Sequence, residues 1–179
     1  MSQIYQWNEF LTQEEIELVD SEMSKGSWKF GHKETNSNPE VRTFWGMDLK
    51  FSEQLEVLFR SKMQIFLGKT ISSNMLYANG QAHSQAAWVH FDVDPSKEGN
   101  YSTLIYYVHK KWRPEYGGHL VILDGNTIKN EEPTVIASIF PKSNSAVLID
   151  AKLYHMALDP SVYCKEQRVS IAYKFKIED

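Results

Sequence analysis

Ser102-Thr103-Leu104-Ile105-Tyr106-Tyr107-Val108-His109 reads as a β-strand, because β-branched and aromatic residues dominate it and neither glycine nor proline interrupts it. Alternation puts Thr103, Ile105 and Tyr107 on one face and turns Tyr106 to the other. Working outward, similar short runs occupy residues 73–78, 88–93, 119–123, 134–139, 146–150 and 168–177. The stretches between them carry turn chemistry. Glu115-Tyr116-Gly117-Gly118, Asp124-Gly125-Asn126 and Phe140-Pro141-Lys142-Ser143-Asn144 each suit a tight reversal. This many short strands predicts an antiparallel sandwich or barrel, and a jelly roll is the economical solution.

Toward the N-terminus the period changes from two to that of a helix. Thr12-Gln13-Glu14-Glu15 is a capping box, Ile16, Val19 and Met23 mark an apolar stripe, and Gly26 ends the segment. Leu55, Leu58, Phe59, Met63, Phe66 and Leu67 repeat at helical spacing between Ser52 and a terminating Gly68. Between the helices, Val41-Arg42-Thr43-Phe44-Trp45-Gly46-Met47 reads as a short strand, and residues 31–39 as a polar loop that borders a site. The expected fold is mainly β with N-terminal helices (α+β). Residues 1–179 form a single domain, with helical support over about 1–70 and the β core over about 71–179; no repeat or linker divides it.

Composition bounds the function. With 42% hydrophobic and 23% charged residues the chain is ordinary globular material. A net charge of −4 gives no electrostatic footprint for nonspecific nucleic-acid binding, and His109-Lys110-Lys111-Trp112-Arg113 reads as a solvated turn after a strand. The one cysteine, Cys164, excludes an internal disulfide and a CxxC zinc site and fits a reducing compartment. No apolar run reaches the roughly 18 residues of a membrane span. Met1-Ser2-Gln3-Ile4 lacks the basic and apolar regions of a signal peptide. A soluble, cytoplasmic protein that avoids membranes is expected.

The chemistry starts from His90-Phe91-Asp92. In a strand, residues i and i+2 share a face, so the imidazole and the carboxylate reach one ion while Phe91 packs the other way. Two histidines and one carboxylate on one side of a divalent iron leave the other side open for a co-substrate and O2. A third ligand must return from elsewhere in the fold, and His155 is the candidate, followed by Arg168 as a basic anchor. His32, His83, His109 and His119 read as surface or hydrogen-bonded structural histidines, with His83 and His119 placed to border the pocket. Trp28, Trp45 and Trp88 read as core or pocket lining, and Trp88, two residues before His90, faces the same side.

Between residues 77 and 175 these features form one succession: His90-x-Asp92, then Ser102-Thr103-Leu104-Ile105-Tyr106-Tyr107, Trp112, Gly117-Gly118-His119-Leu120, Phe140-Pro141, Tyr154-His155 and Arg168-x-Ser170. In order and spacing it resembles the iron(II)- and 2-oxoglutarate-dependent oxygenases of the prolyl 4-hydroxylase type. The resemblance implies a double-stranded β-helix, cupin-like in architecture. It also implies Fe(II), 2-oxoglutarate as co-substrate, O2, and ascorbate as a stimulant. Carried over residue by residue, His90, Asp92 and His155 match the iron triad. Arg168 matches the base that pairs with the far carboxylate of 2-oxoglutarate, for which a planar guanidinium fork is suited. Ser170 and Tyr107 are further contacts to that carboxylate, Tyr77 helps line the pocket, and Leu120 packs against the co-substrate's methylenes. In related halogenating enzymes a small residue replaces the carboxylate, so Asp92 implies hydroxylation or another oxidation. The chain departs from many relatives at His119, where they carry Glu, at Val108-His109, where they carry Leu-Asn, and at Arg168, where many prolyl hydroxylases carry Lys.

The implied activity is hydroxylation of an aliphatic C–H in a prolyl or other amino-acid residue, with release of succinate and CO2. The partner is then a peptide, protein or amino acid. Nucleic-acid dealkylation is the alternative within the class, but those relatives carry a second arginine six residues after the first, and here that position is Lys174. A catalytically silent jelly-roll binding or sensor module is the alternative outside it.

Overall fold

The computed structural model describes residues 4–33 and 43–178. Its elements in chain order are β1 (Tyr5–Trp7), α1 (Gln13–Lys25), β2 (Lys29–His32), β3 (Phe44–Asp48), α2 (Glu53–Leu67), β4 (Ile71–Gln81), β5 (Asn100–Tyr107), β6 (Leu120–Leu123), β7 (Val135–Ile139), β8 (Ala146–Asp150), β9 (Tyr154–Ala157) and β10 (Arg168–Ile177), with a 3-10 turn at Pro114–Tyr116. The strands form a seven-stranded sheet, β1-β8-β5-β10-β4-β3-β2, and a three-stranded sheet, β7-β6-β9. Every named pairing is antiparallel. The chain is mostly β with few helices, its strands divided between two antiparallel sheets. Among the described residues no helix is long and apolar enough to cross a membrane.

Alternation along β5 shows how the layers are built. Leu104 and Tyr106 turn to one face, where they meet Leu55, Phe59 and Met63 of α2, Val19 of α1, and Leu76, Ile171, Tyr173 and Phe175 of the neighbouring strands. Ile105 and Tyr107 turn to the other and join Val147 and Ile149 against Leu120, Ile122 and Ile139 of the small sheet. Each fully buried large apolar side chain contributes roughly 1.5–3 kcal/mol, so both faces hold the central strands firmly. The capping box forms at α1: Thr12 Oγ1 accepts from the Glu15 amide at 3.3 Å, and Glu15 Oε2 accepts from the Thr12 amide at 2.8 Å. Ser52 caps α2 through the Leu55 amide at 3.2 Å.

Several expectations need correction. Residues 88–93 do not form a strand. His90 makes an isolated bridge with His155 (N···O 3.0 and 2.8 Å), and two residues later the Asp92 and Val93 amides both donate to Ala151 O. One carbonyl serving two successive amides bends the chain out of ladder register. β1, β2 and β9 were not anticipated, because at three or four residues they are too short to display alternation and lack the branched apolar run that marks β6. Asp124-Gly125-Asn126 does turn, with the Thr127 amide donating to Asp124 O at 3.0 Å, but the turn opens a longer connection that closes where the Asp124 amide donates to Thr134 O at 2.9 Å. The strand expected at 41–47 is found at Phe44–Asp48. Of the polar loop expected at 31–39, Gly31 and His32 belong to β2, and 34–39 lie outside the described residues, as do Val41 and Arg42.

Candidate active site

The bridge between His90 and His155 sets their rings side by side, with centroids 4.3 Å apart. Asp92 completes the group: His90 Nε2 is 3.8 Å from Asp92 Oδ1, and His155 Nε2 is 3.8 Å from Asp92 Oδ2. The three ligand atoms lie within 4.8 Å of one another. Ligands about 2.1 Å from a divalent ion in adjacent positions stand about 3 Å apart, so small side-chain movements would close this group on a metal.

The backbone prepares both imidazoles. His90 Nδ1 donates to Trp88 O at 2.8 Å and His155 Nδ1 to Leu153 O at 2.9 Å. A carbonyl accepts only from a protonated nitrogen, which leaves each Nε2 lone pair directed inward. Burial, with help from His155, pushes His90 down to about 4, so it is neutral at physiological pH. Burial opposes ionisation of Asp92, but the His155 imidazole, the Lys174 ammonium and the Thr103 hydroxyl outweigh it and hold the carboxyl below its usual range. The contacts are close: Lys174 Nζ is 2.6 Å from Oδ1, and Thr103 Oγ1 donates to Oδ2 at 2.5 Å. Lys174 is held above its ordinary value despite burial, by Tyr77 and Asp92.

A cavity of about 290 Å³ joins this group to a second polar end. β10 contributes Arg168, Ser170, Ala172 and Lys174 to its wall, β4 contributes Tyr77, Asn79 and Gln81, β5 contributes Thr103 and Ile105, and Leu120 closes it from the small sheet. Arg168 is 1% exposed. Its Nε donates to Gly118 O at 2.6 Å, and its Nη1 donates to Gln81 Oε1 at 2.9 Å and Ser170 Oγ at 3.4 Å. Its guanidinium lies 5.2 Å from the centre of the Tyr107 ring. Among the described residues no carboxylate pairs with it, and a buried cation without a counter-charge is costly. Tyr107 is also fully buried, and among the described residues none meets its hydroxyl in good hydrogen-bonding geometry, with Arg168 its nearest polar neighbour. Burial raises this phenol above its ordinary value, with Arg168 opposing. Three metal-ligand atoms at one end and an unneutralised guanidinium beside an unsatisfied hydroxyl at the other fit an ion and a small dicarboxylate. The donor set therefore suits Fe(II) and 2-oxoglutarate.

The sequence profile of the 2OG-Fe(II) oxygenase superfamily matches residues 75–176. The chain belongs to this superfamily. No curated protein matches it in sequence. Its fold resembles an oxidoreductase of the 2OG-Fe(II) oxygenase family from Burkholderia pseudomallei (TM-score 0.73, 11% identity, covering 97% of this chain and 84% of that one). It also resembles a prolyl hydroxylase from Trichoplax adhaerens, solved with a hypoxia inducible factor oxygen degradation domain peptide fragment (TM-score 0.70, 15% identity, covering 97% and 83%). A third similar structure is HygX from Streptomyces hygroscopicus with nickel, 2-oxoglutarate and hygromycin B bound (TM-score 0.67, 12% identity, covering 98% and 83%). At these identities the likeness is one of fold. As a 2OG-Fe(II) oxygenase, this chain is an oxidoreductase that uses Fe(II), 2-oxoglutarate and O2.

The oxygenase fold brings His90, Asp92, His155, Arg168, Ser170, Tyr77 and Leu120 to one cavity and sets Tyr107 beside its guanidinium end. Further residues on that wall, without a role in the site reading, include His32, Gln81, Thr103 and Lys174. Thr103 and Lys174 were accessible through alternation, since they share faces with Ile105 and Arg168. Gln81 and His32 depend on cross-strand register, which no local pattern reveals. His83 and His119 turn away from the cavity, His83 to Pro160 O at 3.1 Å and His119 to the Phe140 ring. The patch expected as a solvated turn is only partly so. His109 stacks 4.2 Å from Trp112, whose indole N–H donates to Gly117 O at 2.9 Å, and burial pushes His109 down to about 3.

Proposed function

We propose that His90, Asp92 and His155 hold the iron, that Arg168, Ser170 and Tyr107 anchor the far carboxylate of 2-oxoglutarate, and that the enzyme hydroxylates an aliphatic C–H of a prolyl or other amino-acid residue. The observation that carries the site assignment is the buried Arg168, which meets no carboxylate among the described residues, in the same cavity as the three ligand atoms. Fe(II), 2-oxoglutarate and O2 together supply the oxidation, from which succinate and CO2 leave. The chain's own residues bind, orient and exclude water. Carbonyls of Trp88 and Leu153 fix the imidazole tautomers, while Thr103 and Lys174 hold the carboxylate. Ile105, Leu120 and Ala172 line the span between the two polar ends, and Leu120 would lie along the co-substrate's methylenes. Tyr77, whose ring lies 5.2 Å from Lys174 Nζ, borders the metal end.

The prolyl preference is supported by the motif succession between residues 77 and 175 and by the fold's likeness to a peptide-bound prolyl hydroxylase. Its test is Fe(II)-dependent succinate formation across proline-containing peptides, free amino acids and methylated oligonucleotides, with product mass naming the oxidised group. A gain of one oxygen on a prolyl peptide is the expected result. Loss of a methyl group from an oligonucleotide would replace the reading with dealkylation, and no succinate with any member would make the chain a silent module. His90→Ala and Asp92→Ala should each abolish succinate formation; turnover persisting in either would remove that residue from the triad.

A further inference from the structure

The wall of the site continues past its metal end. His32, Met75 and Tyr77 also line a second cavity of about 420 Å³, together with Lys29, Gly46, Asp48 and Lys50. Topology explains the opening. The small sheet covers the β5 and β8 side of the large one, whereas β4, β3 and β2 extend to the opposite edge. Register makes the floor continuous: Lys174 pairs with Met75, Tyr77 with Asp48, Asn79 with Gly46, and Gly46 with Lys29. Gly46 keeps this floor low, since a Cβ there would stand 2.9 Å from the Cβ of His32.

Charge distinguishes this groove from the rest of an acidic chain. Lys29 and Lys50 are exposed on its wall, and among the described residues neither pairs with a carboxylate. Among the described residues its one acidic wall residue, Asp48, accepts from the Lys50 amide at 2.9 Å. The chain carries a net charge of −4, so a lysine-lined groove leading to the metal ligands selects for negative charge. Reach then sets the size. Three inter-strand spacings of about 4.8 Å separate β10 from β2, about 14 Å in all. A lysine stem covers about 6 Å of this, and the remainder matches two to three residues of extended peptide at about 3.4 Å each. A free amino acid is too short to touch both ends.

We propose that this groove binds the primary substrate, and that the substrate is an acidic peptide segment with a carboxylate two or three residues from the oxidised position, met by Lys29 and Lys50. The proposal rests on the amino-acid-residue reading above. The probes are blocked octapeptides with a central proline and one glutamate at successive positions, their glutamine counterparts, and glutarate as a free acid. Binding is measured calorimetrically on protein loaded with Ni(II) and 2-oxoglutarate, and oxidation by product mass on the Fe(II) enzyme. Peptides with glutamate two or three residues from the centre should bind at least tenfold more tightly than their glutamine counterparts. The double variant Lys29→Glu, Lys50→Glu should erase that preference, while Lys69→Glu, outside the groove, should retain it. Equal binding of acidic and neutral peptides, no peptide binding, a preference that survives the double variant, or glutarate competing as well as the peptides would each overturn the proposal. Charge-selective binding without oxidised proline would leave the groove standing and sink the prolyl reading; proline oxidised without charge preference would do the reverse.

Discussion

Both oxygens of Asp92 are engaged inside the protein, one by Thr103 and the other by Lys174, while the carboxylate side chain is 3% exposed. Removing one member of a buried ion pair costs about 3–5 kcal/mol, because the survivor is left desolvated and unpaired. Lys174→Met should therefore lower the melting temperature of the metal-free protein, by roughly 6–20 °C for a chain of this size. A divalent ion supplies the missing positive charge, so Ni(II) should raise the melting temperature of the variant by more than it raises that of the native protein. Thermal unfolding with and without Ni(II) measures both, and equal metal-induced shifts would show that Lys174 does not counterbalance the metal's charge. At this scale the sequence was most legible where residues act through spacing. His90, Asp92, His155 and Arg168 could be nominated through the family resemblance that their order and spacing carry, and all four reach one cavity. Alternation placed Lys174 on the Arg168 face, but its pairing with Asp92 escaped because Asp92 belongs to a loop segment whose position depends on the bridge to His155, a contact between distant parts of the chain.

Gly117 and Gly118 show how an element outside the metal centre positions a site residue. Both adopt positive φ, 64° and 75°, following the 3-10 turn. Alanine at Gly118 carries a positive-φ penalty of about 1–2 kcal/mol, and at Gly117, whose φ of 64° and ψ of −133° lie in a region open essentially to glycine, of about 1–3 kcal/mol. The two differ in what a side chain would meet. A Cβ on Gly118 would stand 3.0 Å from Arg168 Cδ, whereas on Gly117 nothing comes nearer than 4.0 Å. Arg168 Nε also donates to Gly118 O, so displacement would turn the guanidinium from its aim. Both variants should lose stability, but only Gly118→Ala should raise the apparent KM for 2-oxoglutarate. Tenfold is the scale expected from losing about 1.4 kcal/mol of a charge-assisted pair. Unchanged KM in Gly118→Ala would separate the turn from the anchor. Elements were legible in proportion to their length and patterning: α1, α2, β5, β8 and β10 could be outlined from caps and alternation. The segment at 88–93 could not, because its apolar run suggests a strand while the Asp92 and Val93 amides converge on one carbonyl, Ala151 O.

The large sheet interleaves the two ends of the chain, with β1 pairing with β8 and β10 at the centre between β5 and β4. Fold class was visible in the count of short strands, but this interleaving was not, since pairings across more than a hundred residues leave no local trace. Asn144 ties the arrangement together. Its backbone adopts φ 51°, its Oδ1 accepts from the Leu11 amide at 3.0 Å and the Tyr106 hydroxyl at 3.3 Å, and its Nδ2 donates to Leu11 O at 2.9 Å. Tyr106 faces the helices while Tyr107, its neighbour, lies beside Arg168, so one strand couples this clasp to the active site. We propose that the chain unfolds as a single cooperative domain. Asn144→Ala removes three hydrogen bonds worth about 1 kcal/mol each and places alanine at a positive φ, for a loss of about 2–4 kcal/mol. In urea, tryptophan fluorescence and far-ultraviolet circular dichroism should report one shared midpoint in the native protein. Both should move to lower urea together in the variant, with the slope unchanged. Midpoints that separate in either protein would divide the N-terminal support from the β core and end the single-domain account.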